Sequence, residues 1–278
     1  MLTDGLSQGR LQLSGWLVAE DRDTPYDGSE STPNPLEERT RIRVWLVTGD
    51  VRLTRRLGVQ VTTTLPDVTR SADLFNYTET FKGLGDTSVI AWHRSVTFGW
   101  YMTVNGGVSL PTGKTELPRF RPELSDGGLV PVSRLQRGTG TYDPILGVSM
   151  NRLVGFIFSP GVRVFVSGAA GVPLAENEFG MRTGASVEGG AGASREVGWH
   201  PLIIIGRLSW LHRERDVFNG IPILVGGGNW LYLTPAAAVT LGKFTVQSEI
   251  KLPLYRNLAN RQLDSAWSFQ AGIAWQPF

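Results

Sequence analysis

Alternation of apolar and polar residues with a period of two runs through most of this chain. Every second residue from Leu11 to Leu17 is Leu or Gly, and the residues between them are Gln, Ser and Trp. Similar alternation recurs at 41–46, 57–62, 100–109, 162–166, 182–193 and 244–252. Side chains of a β-strand point alternately to its two faces, so a period of two indicates strands rather than helices. The sequence therefore predicts an all-β chain whose strands have one apolar face and one polar face.

The connections between these segments alternate between short and long. The short, polar links are 54–56, 94–97, 151–154, 194–198 and 242–243. The long links are 20–38, 66–83, 112–138, 173–179, 214–228 and 256–264. Six long and five short links in strict alternation imply about twelve antiparallel strands with both chain ends on the short-link side. A β-sandwich shows the same side-chain alternation but has no reason to keep its long loops at one end.

This arrangement is typical of a transmembrane antiparallel β-barrel with short periplasmic turns and long extracellular loops. A membrane-spanning helix needs about 20 consecutive apolar residues, and no run in the chain approaches that length. We therefore predict one barrel domain over residues 1–278, located in a bacterial outer membrane and surrounded by its lipids. The start of the chain lacks the basic and apolar regions of a signal peptide, so the barrel interpretation requires Met1 to begin a mature sequence.

Composition excludes several classes of function. The chain has no Cys, which rules out disulfides, thiol catalysis and cysteine metal sites. The net charge is +2 and its basic and acidic residues are interspersed, so we predict no nucleic-acid partner. The three His residues fall at opposite ends of the predicted strands, so no metal site and no cofactor is expected.

The C-terminal segment carries a further signal of barrel assembly. Trp267, Phe269, Ile273 and Trp275 share one alternating face, and the chain ends on Phe278, although Pro277 places that residue out of phase. A final strand that ends on an aromatic residue resembles the signal read by the outer-membrane insertion machinery, which we therefore predict as a partner.

Several short sequence motifs occur in an order known from one protein family. They are GLGD at 83–86, VSLPTG at 108–113, RGTGTYD at 137–143, GNWLYLTP at 228–235, LPLYRN at 252–257 and RQL at 261–263. With these phrases the chain resembles the outer-membrane family named for the phenol-degradation meta-pathway, whose members are described as transporters. The resemblance implies a barrel and uptake or export of small compounds, aromatic ones among them. It implies no catalytic residue.

Charged residues opposite the apolar face mark the predicted lumen and solute pathway. They are Arg41, Arg43, Arg52, Arg163, Arg182, Glu188, Arg207, Glu249 and Lys251. Facing lipid, each would cost roughly 2–4 kcal/mol at the midplane, so we expect them to face inward. Seven basic and two acidic members favour anions. The alternative is that Arg–Glu pairs fill a closed interior, since twelve strands lie between filled eight-stranded and open sixteen-stranded barrels.

The sequence predicts an outer-membrane channel or transporter in which a small solute, aromatic or anionic, diffuses passively through this lumen. Two other functions stay open. A loop site near His212, with Glu214 and Asp216, would suit a membrane-bound hydrolase. The acidic link 20–38 would suit a structural or adhesive barrel that binds a partner.

Overall fold

The computed structural model describes residues 11–116, 119–120, 129–130, 136–156, 159–198, 202–223 and 226–277. Within these ranges the regular secondary structure is all β-strand, apart from a single 3-10 turn at Asp73–Phe75. The strands are β1 Leu11–Gly28, β2 Glu30–Ser31, β3 Glu38–Arg52, β4 Leu57–Ala72, β5 Tyr77–Lys82, β6 Thr87–Thr97, β7 Trp100–Leu110, β8 Arg119–Phe120, β9 Leu129–Val130, β10 Asp143–Phe156, β11 Ser159–Gly171, β12 Met181–Arg182, β13 Ser186–Val197, β14 Leu202–Arg213, β15 Val217–Phe218, β16 Ile221–Pro222, β17 Gly228–Leu241 and β18 Phe244–Trp275. No helix in the described ranges is long and apolar enough to cross a membrane.

Eleven strands form a closed antiparallel sheet. Their order is β1, β3, β4, β6, β7, β10, β11, β13, β14, β17 and β18, and β18 pairs back with β1. The strands β2 and β5 extend this sheet outside the closed ring, and the small sheets β8–β9 and β12–β15–β16 lie in the long links. Closure leaves no unpaired strand edge within the wall. A sheet that spans a bilayer needs this closure, because lipid offers no hydrogen-bond partners to an open edge. The predicted all-β antiparallel barrel is confirmed.

The last strand differs from the prediction. β18 contains 32 residues, and its two halves have different neighbours: 244–258 pairs with β17, and 258–275 pairs with β1. The chain crosses the wall twice within this one element, and the backbone N–H of Gln276 donates to the carbonyl of Lys243 at 2.9 Å. The long link predicted at 256–264 is much shorter in the structure: Leu258 still pairs with Gly228 of β17, Gln262 already pairs with Tyr26 of β1, and the chain reverses between them. The eleven continuous strands therefore cross the wall twelve times, ten of them once and β18 twice, which agrees with the predicted number of crossings.

Other link boundaries also move. β1 continues to Gly28 and β4 to Ala72, so much of the predicted links 20–38 and 66–83 is strand. The predicted short links 94–97 and 151–154 lie within β6 and β10. The alternation of short connections at one end and long ones at the other is retained, and we call these the short-link end and the long-link end.

The outward face of the wall is apolar and exposed. Its exposed side chains include Leu13, Trp45, Val47, Val61, Val104, Val148, Val166, Ile204, Leu208, Leu233, Val246, Ile250, Ile273 and Trp275. A continuous apolar surface of this kind is rare on soluble monomers, whereas a bilayer covers it with acyl chains. The outward face is therefore a lipid-facing band.

Aromatic side chains fill part of the interior, and glycines on neighbouring strands make room for them. A Cβ at Gly58 would lie 2.1 Å from the ring of Trp92, and one at Gly272 would lie 2.4 Å from Trp16. Both Trp side chains lie on the inner face of the wall and are buried. Because glycine has no Cβ, an indole ring can pack directly over the backbone of the adjacent strand.

Asp86 ties two long links together at the rim. Its Oδ1 accepts a hydrogen bond from the backbone N–H of Gly113 at 3.0 Å. Its Oδ2 accepts from the backbone N–H and the hydroxyl of Thr139, at 2.7 and 3.0 Å. Burial raises the pKa of Asp86 above its ordinary value, although these hydrogen bonds oppose the shift. The connection between β7 and β10 is thus held closed at both of its ends.

Removing this carboxylate is expected to loosen the β7–β10 connection. Asp86→Ala leaves partly buried N–H groups of Gly113 and Thr139 without an acceptor, which costs about 1–3 kcal/mol. Trypsin should then cut after the exposed Lys114 about ten times faster, because cleavage follows the population of the open form. Asp27→Ala, at an exposed position of the same rim, is the control. Equal cleavage rates in both variants would contradict the role given to Asp86.

Candidate solute pathway

Five of the nine predicted lumen residues lie on the inner face of the wall. They are Arg163, Glu188, Arg207, Glu249 and Lys251, each of which lines an internal cavity or pairs with a residue that does. Arg52 shares the phase of Thr48 and Asp50, which line the central cavity, and therefore also points inward.

The prediction that Arg41 and Arg43 face the lumen is wrong. Both are exposed on the outward face of β3, in phase with Trp45 and Val47. The prediction took the alternate residues Ile42, Val44 and Leu46 as the lipid face. These three are instead half-buried on the inner face, and Ile42 packs against a cluster of Val68, Ala72 and Phe81. Both faces of β3 carry apolar residues, so the alternation shows that two faces exist but not which one is outside.

Arg182 is also a correction. It belongs to β12, a two-residue strand that pairs with β15 in the long links and is not part of the closed wall. Its Nη1 donates to the carbonyl of Pro173 at 3.5 Å. The wall strand begins only at Ser186, and Arg182 pairs with Val217 of β15 instead of with a wall strand.

A central cavity of about 300 Å³ lies inside the barrel and is lined by residues from nine of the eleven wall strands. Its polar and charged lining includes Gln12, Ser14, Thr48, Asp50, Gln60, Arg94, Thr103, Asn105, Ser149, Ser167, Glu188 and Arg207. Trp92 also borders it, donating from Nε1 to the carboxylate of Asp50 at 3.2 and 3.3 Å. The guanidinium of Arg94 lies 4.2 Å from the centre of the Trp92 ring.

The middle of the lumen carries both signs of charge. Arg207 Nη2 lies 3.5 Å from Glu249 Oε1, and Lys251 Nζ lies 4.0 Å from Glu188 Oε1. The two acidic residues therefore offset two of the basic ones, so the central section is not a ring of uncompensated cations.

A second cavity of about 190 Å³ lies beside β1, β14, β17 and β18. Its ionic groups are Glu20, Arg22, Arg213, Lys251 and Asp264. Glu20 Oε1 lies 2.6 Å from Arg22 Nε and accepts from the hydroxyl of Ser265 at 3.0 Å.

Sequence reasoning missed Glu20, Arg22 and Asp264 because it placed them in loops. The signal was present: the period of two continues through Val18, Glu20 and Arg22, all of which line the cavity.

A third cavity, of about 550 Å³, lies at the short-link end and is strongly basic. Arg55, Arg56, Arg94 and Arg163 line it together with Tyr101 and Asn151. Arg163 Nη1 donates to Asn151 Oδ1 at 3.1 Å, which fixes this guanidinium in the wall. No carboxylate is among the described residues that line this cavity. An anion at this end would meet positive charge without a competing acid.

His212 and Asp216, two residues of the hydrolase alternative, are held by structural contacts. His212 is on the outward face, its ring stacks on Trp210, and its Nδ1 is hydrogen bonded to Asn229 Oδ1 at 2.9 Å. Asp216 is buried and accepts from the backbone N–H of Gly184 at 2.9 Å. His200 lies outside the described residues. Across the described ranges, no group of three or more His, Asp or Glu could hold a metal ion.

Comparison with solved structures identifies the same architecture in bacterial outer-membrane proteins. An outer-membrane channel from Pseudomonas putida F1 has a TM-score of 0.75 at 13% identity, with 98% of this chain and 96% of that one covered. The β domain of a Bordetella autotransporter has a TM-score of 0.55 at 13% identity, with 96% and 99% covered. The translocator domain of a Neisseria meningitidis autotransporter has a TM-score of 0.50 at 13% identity, with 98% and 90% covered. No protein-family model matches the sequence, and no curated protein does.

The closed sheet, the lipid-facing band and these neighbours define a transmembrane β-barrel of the bacterial outer-membrane class. At 13% identity the likeness concerns the fold. The resemblance to the phenol meta-pathway family remains a prediction from the sequence phrases.

Proposed function

We propose that this chain is an outer-membrane channel through which small solutes diffuse. The observation that carries the proposal is a polar interior inside a closed, lipid-facing wall, with cavities of about 550, 300 and 190 Å³. Arg–Glu pairs could also fill a closed interior, but the short-link cavity holds Arg55, Arg56, Arg94 and Arg163 with no carboxylate among its described lining residues, which favours an open, hydrated path. Arg52, Arg163, Glu188, Arg207, Glu249 and Lys251 are the pathway residues of this proposal.

The solute class we favour is a small anion, including aromatic carboxylates. The arginines of the short-link end supply the charge, and the exposed Tyr101 supplies a ring face in the same cavity as Arg94. Guanidinium groups bind carboxylates through paired hydrogen bonds, and aromatic rings pack against one another at low cost. The family resemblance, which implies small aromatic compounds, supports the same solute class.

We also retain the insertion machinery as a proposed partner. Trp267, Ile273 and Trp275 lie exposed on the outward face of the final strand, as the proposed signal requires. The terminal Phe278 lies outside the described residues.

Ion selectivity in planar bilayers tests the proposal. Under a KCl gradient, the wild-type barrel should conduct and its reversal potential should show a preference for chloride. Arg56→Gln with Arg163→Gln removes two positive charges from the short-link cavity and should lower that preference several-fold. Arg152→Gln with Arg195→Gln removes the same charge from exposed positions on the outward face and should leave selectivity unchanged.

Each result has a distinct meaning. Absence of conductance and of solute flux into liposomes would end the channel proposal. Conductance that keeps its selectivity in the Arg56/Arg163 variant would end the anion preference while leaving the channel in place.

A further inference from the structure

A basic stripe runs along the outside of the barrel at the long-link end. Arg39, Arg41 and Arg43 occupy successive outward positions of β3, and all three are exposed. Directly below them on the same face, Trp45 and Val47 begin the lipid-facing band, with 53% and 56% of each residue exposed. Like charges at alternate positions of one strand repel each other, so anions nearby would stabilise these three arginines.

The two carboxylates beside this basic stripe, Asp21 and Asp67, form ion pairs with cations other than Arg41 and Arg43. Asp21 forms a two-point ion pair with Arg39, and Asp67 lies 3.1 Å from Lys82 Nζ. Asp21 also lies close enough to Arg41 to feel its charge, and Asp67 stands opposite Arg43 in the strand register. Even so, among the described residues Arg41 and Arg43 form no hydrogen bond or ion pair.

The height of these two arginines matches the headgroup region of a bilayer. Arg43 lies two residues above Trp45, which is about 6–7 Å along a strand. Aromatic residues of outer-membrane barrels mark the interface between acyl chains and headgroups. A guanidinium one step above such a residue therefore reaches the phosphates while its methylene groups still contact apolar surface.

The long-link end of such barrels faces the cell exterior, where the outer leaflet consists of glycolipids that carry phosphate on their sugars. We propose that Arg41 and Arg43 form a binding site on the outer wall for a phosphate group of such a glycolipid. Arginine suits this role because its planar fork donates two parallel hydrogen bonds to phosphate oxygens. The inference depends on the barrel lying in the outer membrane but not on what passes through its lumen.

Binding of diphosphoryl lipid A to the detergent-solubilised barrel, followed by native mass spectrometry, tests this site. Arg41→Gln with Arg43→Gln should weaken binding at least about ten-fold, because two charge-assisted contacts are lost. The control is Arg152→Gln with Arg195→Gln, which makes the same charge change on the outward face near the short-link end and should bind as the wild type does. Dephosphorylated lipid A should bind the wild type no better than it binds the Arg41/Arg43 variant.

Three outcomes would overturn the proposal. The first is equal lipid A binding by the Arg41/Arg43 variant and the wild type. The second is full competition by inorganic phosphate at low millimolar concentration, which would indicate a site for free anions. The third is a wild-type dimer that is lost in the variant, which would indicate contact between two copies of the chain. Bilayer conductance of the same variant should be unchanged, so failure here and failure of the channel proposal are separate results.

Discussion

Replacing Val166 by Arg is expected to prevent stable insertion of the barrel, whereas replacing its neighbour Ser167 by Arg is expected to leave insertion intact. Val166 lies in the middle of β11 on the outward face, paired with Met150 and Ala191, and is 43% exposed to the surroundings that we assign to lipid. Ser167 points into the central cavity. An Arg facing hydrocarbon near the midplane costs about 2–4 kcal/mol, a large part of the stability of a typical domain.

The two variants differ by one position along the chain, so they share strand propensity, net charge and side-chain size. Refolding into liposomes, followed by urea titration of the folded band on cold gels, measures the difference. Ser167→Arg should fold like the wild type but reduce conductance, because its side chain enters the cavity. If both variants were equally stable, the outward face of β11 would not contact lipid, and the assignment of the two faces would be wrong.

Replacing Trp92 by Ala is expected to raise conductance several-fold. Trp92 is only 5% exposed, yet it stands on the inner face of β6, where it fills space beside the central cavity. Its ring lies over Gly58 and its Nε1 donates to Asp50. Truncation to Ala removes an indole side chain from beside the cavity and frees the Asp50 carboxylate from this hydrogen bond. The enlarged cavity should therefore admit more ions, and selectivity should move toward cations.

Trp45→Ala is the matched control, because Trp45 is exposed on the outward face and its truncation leaves the lumen unchanged. Conductance of the Trp45 variant should equal that of the wild type. Gly58→Ala offers an independent check, since a Cβ there would lie 2.1 Å from the Trp92 ring and must displace it. Unchanged conductance in the Trp92 variant would mean that the ions follow a route elsewhere.

The architecture could be predicted from the sequence because its signals are local. A strand places successive side chains on opposite faces, so Gln12 and Ser14 alternate with Leu11 and Leu13 in the sequence as they do in the wall. The alternation of short and long links puts all long connections at one end whatever the register. Neither inference depends on knowing which strands pair or how the sheet closes.

The extent of the strands and the content of the lumen depended on long-range pairing. Glu20 and Arg22 look like loop residues beside Pro25, yet β1 continues because Arg22 pairs with Thr40 of β3 on one side and Ser265 of β18 on the other. Most of the link predicted at 256–264 became strand for the same reason. A loop-like composition is overridden when both neighbouring strands supply hydrogen-bond partners.

The orientation of β3 shows where local information ends. Its sequence alternates, but Ile42, Val44 and Leu46 on one face are matched by Trp45 and Val47 on the other. The sequence alone determined that this chain forms a barrel with two-faced strands, because the period of two follows from backbone geometry. Only the tertiary structure decided that Arg41 and Arg43 face outward, because closing the sheet commits every strand to one orientation and the neighbours of β3 set its own.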